Sequence, residues 1–201
     1  CAQLLGGETP AAKIMPGVQP PLDQLALPYG EYNDEDVSRR HIYVEASRGC
    51  PFKCEFCLSA LDKTAWAFPL EAFLAQIEAL WQRGVRQFKF VDRTFNLKID
   101  ASLAILDYFF SKLEANPDDP PFLHFELIPD HLPDRLKAGI AKFPSGTLQF
   151  EIGIQTFDPA VQARISRRQK NDVAEANIRW LHAHTQAHLH IDLIAGLPGE
   201  D

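Results

Sequence analysis

The segment "RGCPFKCEFC" places Cys50, Cys54 and Cys57 within eight residues, with three and then two residues between them. An odd trio of thiols cannot form a disulfide framework, so it reads as a metal site in a reducing compartment. Iron–sulfur clusters are usually held by four thiolates. Three leave one iron without a protein ligand, and an open coordination position lets a metal bind substrate or cofactor directly. The spacing also fits a zinc site completed by a distant histidine, with His41 or His131 as the fourth ligand. In that case the chain is a non-enzymatic, zinc-structured α/β binding module, or an ordinary α/β-barrel enzyme with a structural metal. "CEFC" alone fits a dithiol redox pair. The only other cysteine is Cys1. A second group, "LHAHTQAHLHID", holds His182, His184, His188 and His190 close to Asp192. These residues suit a second metal, or a helix C-terminal cap followed by histidines lining a barrel floor.

The elements that must position these groups are legible as alternating patterns. Strands are expected at 41–47, 86–92, 122–128, 147–155 and 188–198, and helices at 69–84, 101–115, 134–143 and 172–184. Pro69 starts the first of these helices and Gly84 stops it. Repeated βα units imply an α/β fold with a parallel sheet and helices outside, a partial (β/α) barrel with five strands visible. The trio follows the first strand, at the end of such a barrel where chemistry sits. One face of each strand is polar: His41, Tyr43 and Glu45; His124 and Glu126; Glu151, Gly153 and Gln155; His188, His190 and Asp192. The alternate residues, from Leu123 and Phe125 to Ile191 and Leu193, are apolar and suit the helix side. A polar lumen holds something polar.

The N-terminal part reads differently. Residues 1–7 look like the end of a buried strand running into a glycine turn, and 8–40 form an extended proline-rich arm. The expected division is therefore 1–40, the end of a preceding domain plus linker, and 41–201, a core truncated at its C-terminus. A chain that starts at Cys1 rather than Met is expected to be a fragment. At 201 residues it is long enough for one sizeable core. Its net charge of −7 offers no basic surplus for general nucleic-acid binding. No apolar run reaches the length of a membrane span.

Cys-x3-Cys-x2-Cys with Phe56 before the last cysteine resembles the radical S-adenosylmethionine (radical SAM) superfamily, and the resemblance covers roughly residues 41–201. It implies that Cys50, Cys54 and Cys57 hold a 4Fe–4S cluster. It further implies that S-adenosylmethionine chelates the open iron and is cleaved to methionine and a 5′-deoxyadenosyl radical, which abstracts hydrogen from substrate. Cofactor contacts follow position by position. Asp92 in "FVDRTFN" stands where the superfamily carries an ammonium-binding Gly-Gly-Glu or variant, with Asn96 a weaker candidate. Glu126 in "HFELIPD" matches a glutamate near the methionine amino end, and Gln155 in "EIGIQTF" a ribose contact. Arg167 in "QARISRRQ", beside Arg168, matches a carboxylate-binding arginine. In "IDLIAGLPGE", Asp192 matches a ribose contact, and the backbone from Ile194 to Pro198 lies against adenine, with Gly196 allowing close approach.

"LLGG" followed by "LDQLALPY" is similar to cobalamin-binding members of the superfamily, whose cobalamin domain would precede Cys1. This resemblance implies a cytoplasmic enzyme using a 4Fe–4S cluster, S-adenosylmethionine and cobalamin. It also implies a flavodoxin- or ferredoxin-type electron donor and a small-molecule or modified-peptide substrate. A sixth strand would follow Asp201, so strand five is expected at an exposed sheet edge.

Overall fold

The computed structural model describes residues 5–7, 14, 17, 20–61 and 65–200. Cys1 and most of the expected N-terminal strand lie outside them. From residue 42 the chain forms a parallel five-stranded sheet and the helices that cover it. Its strands are β1 (Ile42–Val44), β4 (Gln87–Phe90), β5 (Phe122–Leu127), β6 (Leu148–Gln155) and β7 (His188–Leu193), in that spatial order. Every neighbouring pair is parallel. Sequential strands lie side by side, as repeated βα crossovers require.

Three longer helices make the crossovers: α2 (Leu70–Gln82), α3 (Ile99–Ala115) and α6 (Asn171–His184). The shorter α4 (Asp134–Ile140) lies between β5 and β6. Gly84, at φ 96, ends the turn after α2 in a conformation that suits glycine. The core forms between the helices and one face of the sheet. Ile42, Phe88, Phe90, Leu123, Phe125, Phe150, Ile152 and Ile154 are fully buried there. Phe125 stacks on Phe95 at 3.9 Å and lies 4.4 Å from Phe90, so aromatic contacts run across the central strands. The alternation read from the sequence thus assigns the faces of β5 and β6. It holds less well on β7. Ile191 and Leu193 point away from the lumen yet are 42% and 65% exposed, because β7 is the last strand of the sheet.

The arm is more structured than its proline content suggests. It carries 3-10 turns at Leu22–Gln24 and Pro28–Glu31 and a short helix, α1 (Asp34–Arg39). Asn33 and Asp36 close α1 with a reciprocal capping box. The arm covers the free edge of β1. The Tyr29 hydroxyl accepts from the Glu45 amide at 2.7 Å and donates to the Glu45 carbonyl at 3.2 Å. The Tyr32 hydroxyl donates to the Tyr43 carbonyl at 2.8 Å. Two backbone positions that would lie open on an edge strand are satisfied in this way.

Two small elements frame the cysteine loop. Ser47–Arg48 (β2) and Trp66–Ala67 (β3) pair antiparallel at its base. Helix α5 (Pro159–Arg164) follows β6, with the Asp158 side chain accepting from the Ala160 and Val161 amides.

Candidate functional site

The loop after β1 carries the trio to the C-terminal end of the sheet. Cys54 is buried, Cys50 and Cys57 are partly exposed, and all three are free thiols. The Cys57 amide donates to the Cys54 carbonyl at 3.0 Å, which turns the chain tightly between them. The three cysteines share the rim of a cavity of about 280 Å³, and Phe56, 41% exposed, lines it beside them. Burial pushes the Cys50 thiol up, and the neighbouring Cys57 and Cys54 add to the shift. Three free thiols gathered at one rim are a good arrangement for a cationic metal centre.

Among the described residues, no three His, Cys, Asp or Glu groups converge on a single ion. The proposed fourth zinc ligands lie elsewhere. His41 precedes β1, at the opposite end of the strand from the trio, and packs against Phe122. His131 is exposed, does not line the cavity, and uses its carbonyl to accept from Asn96.

The cavity gathers several of the expected cofactor residues. Glu126, Gln155, Arg167 and Asp192 all line it together with the trio. Glu126 and Asp192 lie on the lumen face of β5 and β7, and Gln155 ends β6. Burial raises the Glu126 carboxyl, and Arg93, 3.3 Å away, opposes that shift. Gln155 adopts φ 69, in the left-handed region, at the point where the β6–β7 register shifts. A non-glycine residue there is strained, and strain of this kind gathers at functional sites. Gly153 leaves the space that the Gln155 side chain occupies, since a Cβ at 153 would overlap its amide. Arg167 reaches over Cys54, with Nη1 3.8 Å from Sγ, and its other terminal nitrogen bonds the Gly153 carbonyl.

Four expected positions fall outside this cavity. Asp92 is 2% exposed, and its two oxygens accept from the Ala46 amide at 2.9 Å and the Ser47 hydroxyl at 2.6 Å. Both lone-pair sets face the strand end, so Asp92 braces the root of the cysteine loop. Asn96 is fully buried; it donates to the Ile128 and His131 carbonyls and accepts from the Ile128 amide. Ile194 packs with Val161, Ile165 and Leu197. Gly196 turns at φ 80, with its amide bound to Glu200.

The histidines follow the second of their two readings. His182 and His184 end α6, where His184 stacks on Trp180 and bonds its carbonyl at 3.0 Å. His188 and His190 stand exposed on the lumen face, with His190 3.4 Å from Asp192.

The cavity also contains residues that the sequence reading did not single out as ligands. Arg93 lines it and pairs with Glu126. Glu151 lines it below, 3.1 Å from His124 and 4.0 Å from Lys89. Burial, then Lys89, lowers the His124 imidazole. The signal for Glu151 was present, since it shares its strand face with Gly153 and Gln155.

The family model of the radical SAM superfamily matches residues 44–201. The chain belongs to that superfamily. Among curated proteins it is similar to the ribosomal protein uS12 methylthiotransferase RimO of Pseudothermotoga lettingae. The two are 25% identical over 162 residues, covering 79% of this chain and 38% of that protein. A shorter stretch of 86 residues is 35% identical to PH0819 of Pyrococcus horikoshii, named an uncharacterized methyltransferase, covering 39% of this chain and 18% of that protein. The chain thus spans well under half the length of either relative. In fold it is similar to the radical S-adenosylmethionine methyltransferase TsrM of Kitasatospora setae, solved with cobalamin and a [4Fe–4S] cluster bound. That likeness has a TM-score of 0.67 at 18% identity and covers 80% of this chain and 32% of TsrM. The cobalamin-dependent S-adenosylmethionine radical enzyme OxsB is also similar, with a TM-score of 0.57 at 17% identity, over 77% of this chain and 23% of OxsB. The sheet is therefore the radical SAM partial barrel, and the radical SAM family binds a 4Fe–4S cluster and S-adenosylmethionine.

Proposed function

We propose that this chain is the core of a radical SAM enzyme. Cys50, Cys54 and Cys57 hold a 4Fe–4S cluster, and the adjoining cavity takes S-adenosylmethionine. The observation that carries this reading is that the three cysteines share one cavity with Glu126, Gln155, Arg167 and Asp192. The bound cluster supplies one electron and one open iron at that rim.

The chain's own residues then divide the cofactor between them. Glu126 faces the ammonium, a cation suited to a partly buried carboxylate. The Arg167 guanidinium presents a planar fork to the carboxylate. Gln155 and Asp192 receive the ribose hydroxyls, and Phe56 lies against the adenine side. Asp92 supports the loop from behind. The polar lumen beneath, with Lys89, His124, Glu151 and His190, faces the substrate.

Among the reactions open to such a radical, cobalamin-assisted methylation is favoured. TsrM and OxsB, whose sheets this one resembles, are described as a methyltransferase solved with cobalamin and a cobalamin-dependent enzyme. The substrate is a small molecule or modified peptide, and the electron comes from a flavodoxin or ferredoxin in a reducing cytoplasm. No helix among the described residues is long and apolar enough to cross a membrane.

Anaerobic reconstitution with iron, sulfide and reductant tests the reading. The expected product is a brown protein with a reduced 4Fe–4S paramagnetic resonance signal that changes shape on adding S-adenosylmethionine, followed by release of 5′-deoxyadenosine. Cys54→Ala should abolish the signal. A colourless protein that takes up zinc and no cluster would overturn the reading.

A further inference from the structure

The segment that carries Arg167 is fastened to the loop that carries the cysteines, across more than a hundred residues of chain. The Glu55 amide donates to the Ile165 carbonyl at 3.0 Å. The Ser166 hydroxyl donates to the Glu55 carboxylate at 2.8 Å. Glu55 lies between Cys54 and Cys57, and Ser166 directly precedes Arg167. Ser166 adopts φ 54, one of two non-glycine residues with positive φ among those described; the other is Gln155, which lines the cavity that Arg167 also lines. A serine in the left-handed region is unfavourable in isolation, so its partners must hold it there.

A second set of bonds fixes Arg167 from the other side. Gln169 Oε1 accepts from Arg167 Nε at 3.1 Å and Nη2 at 2.9 Å. The Gln169 amide donates to Asn171 Oδ1 at 2.9 Å, and the buried Gln162 donates to the same oxygen at 2.7 Å. Gln162 also reaches the Thr156 carbonyl at 2.8 Å, one residue beyond Gln155. The guanidinium therefore has one side built on the end of β6 and the other on the cysteine loop.

We propose that Ser166 and Glu55 form a clasp that sets the distance between the cluster loop and the cofactor-binding arginine, with Ser166 the positioning residue. The inference rests on the proposed cluster and S-adenosylmethionine reading and assigns residues that this reading does not use. With the clasp closed, Arg167 stands at a fixed distance from Cys54, so a cofactor bridging cluster and arginine finds both ends placed. With it open, the cysteines still bind the cluster, but the arginine drifts relative to it. Cofactor affinity then falls without loss of iron.

The test uses the reconstituted chain with Ser166→Ala, Ser166→Gly, Glu55→Ala and Glu55→Gln. Glycine suits the positive φ and so guards against a folding defect. Glutamine keeps an acceptor for the serine hydroxyl. Iron per chain is measured first, and S-adenosylmethionine is then titrated against the paramagnetic resonance change. The expected result is parental iron content with dissociation constants raised about five- to tenfold in the two serine variants and Glu55→Ala, and a value near the parent in Glu55→Gln. Parental affinity in Ser166→Gly and Glu55→Ala would overturn the clasp. So would a loss of iron with unchanged affinity for each remaining cluster, since the bonds would then serve the loop alone. A parent chain whose signal ignores S-adenosylmethionine would instead overturn the cofactor reading on which the clasp depends.

Discussion

Asp92 Oδ1 lies 2.6 Å from the Ser47 hydroxyl, so the carboxylate at the end of β4 grips the strand that launches the cysteine loop. Burial pushes this carboxyl up to about 6 from its ordinary 3.8, against the opposing pull of the Ser47 and Ala46 donors. A raised folded-state value means that the protonated form is favoured in the fold. The stability it contributes is full below about 3.8 and is lost as pH rises through about 6. Asp92→Asn keeps an acceptor for the Ala46 amide and carries no charge. Its stability relative to the parent should rise between pH 4 and pH 8 by on the order of 2–3 kcal/mol. Urea unfolding at both pH values checks this, and a constant difference would show that burial does not govern the group.

Asn96 fastens the loop after β5 with three hydrogen bonds, two given and one received. Asn96→Asp removes both donors and sets a carboxylate against the Ile128 and His131 carbonyls in a fully buried site. The expected cost is about 2–4 kcal/mol, read as a fall in the urea midpoint.

Tyr29→Phe keeps the edge-on packing against Phe73 but strips the hydroxyl from both Glu45 backbone groups. A loss of about 1–2 kcal/mol is expected, together with faster hydrogen exchange at the Glu45 amide. Unchanged exchange there would mean that the arm does not hold the β1 edge in solution.

Gly153→Ala would force the Gln155 side chain out of its place, because the new methyl overlaps its amide. That amide is the end of a flexible side chain, so the fold should lose no more than about 1 kcal/mol. Affinity for S-adenosylmethionine in the reconstituted protein should fall about tenfold, the scale of one lost hydrogen bond. Parental affinity would remove Gln155 from the proposed ribose contacts.

What could be read beforehand follows from the range of the forces involved. Alternation along "FLHFELI" and "TLQFEIGIQ" separates the faces of β5 and β6, because burial acts on each residue in turn. The trio is legible because its chemistry depends on local spacing. Asp92 and Asn96 are less legible for the opposite reason. Their residue types suit a cofactor, but the partners that claim them lie 45, 32 and 35 residues away along the chain. The Glu55–Ser166 bond spans 111 positions, and nothing near either residue announces it. Helix α5 was missed because six residues are too few to show a period. Asp158 followed by Pro159 was the start signal that could have revealed it. The 3-10 turns of the arm carry no periodic pattern, and the burial of Leu22 and Tyr29 is what reveals them.

Tyr29 and Tyr32 of the arm, bonded along the edge of β1, make the margins of the sheet unequal. At Tyr43 and Glu45 the backbone is already taken, whereas β7 has a neighbour on one side only among the described residues. A strand contributed by any other segment or molecule can therefore join at β7 and is turned away at β1. Growth of the wall around the lumen therefore has a direction.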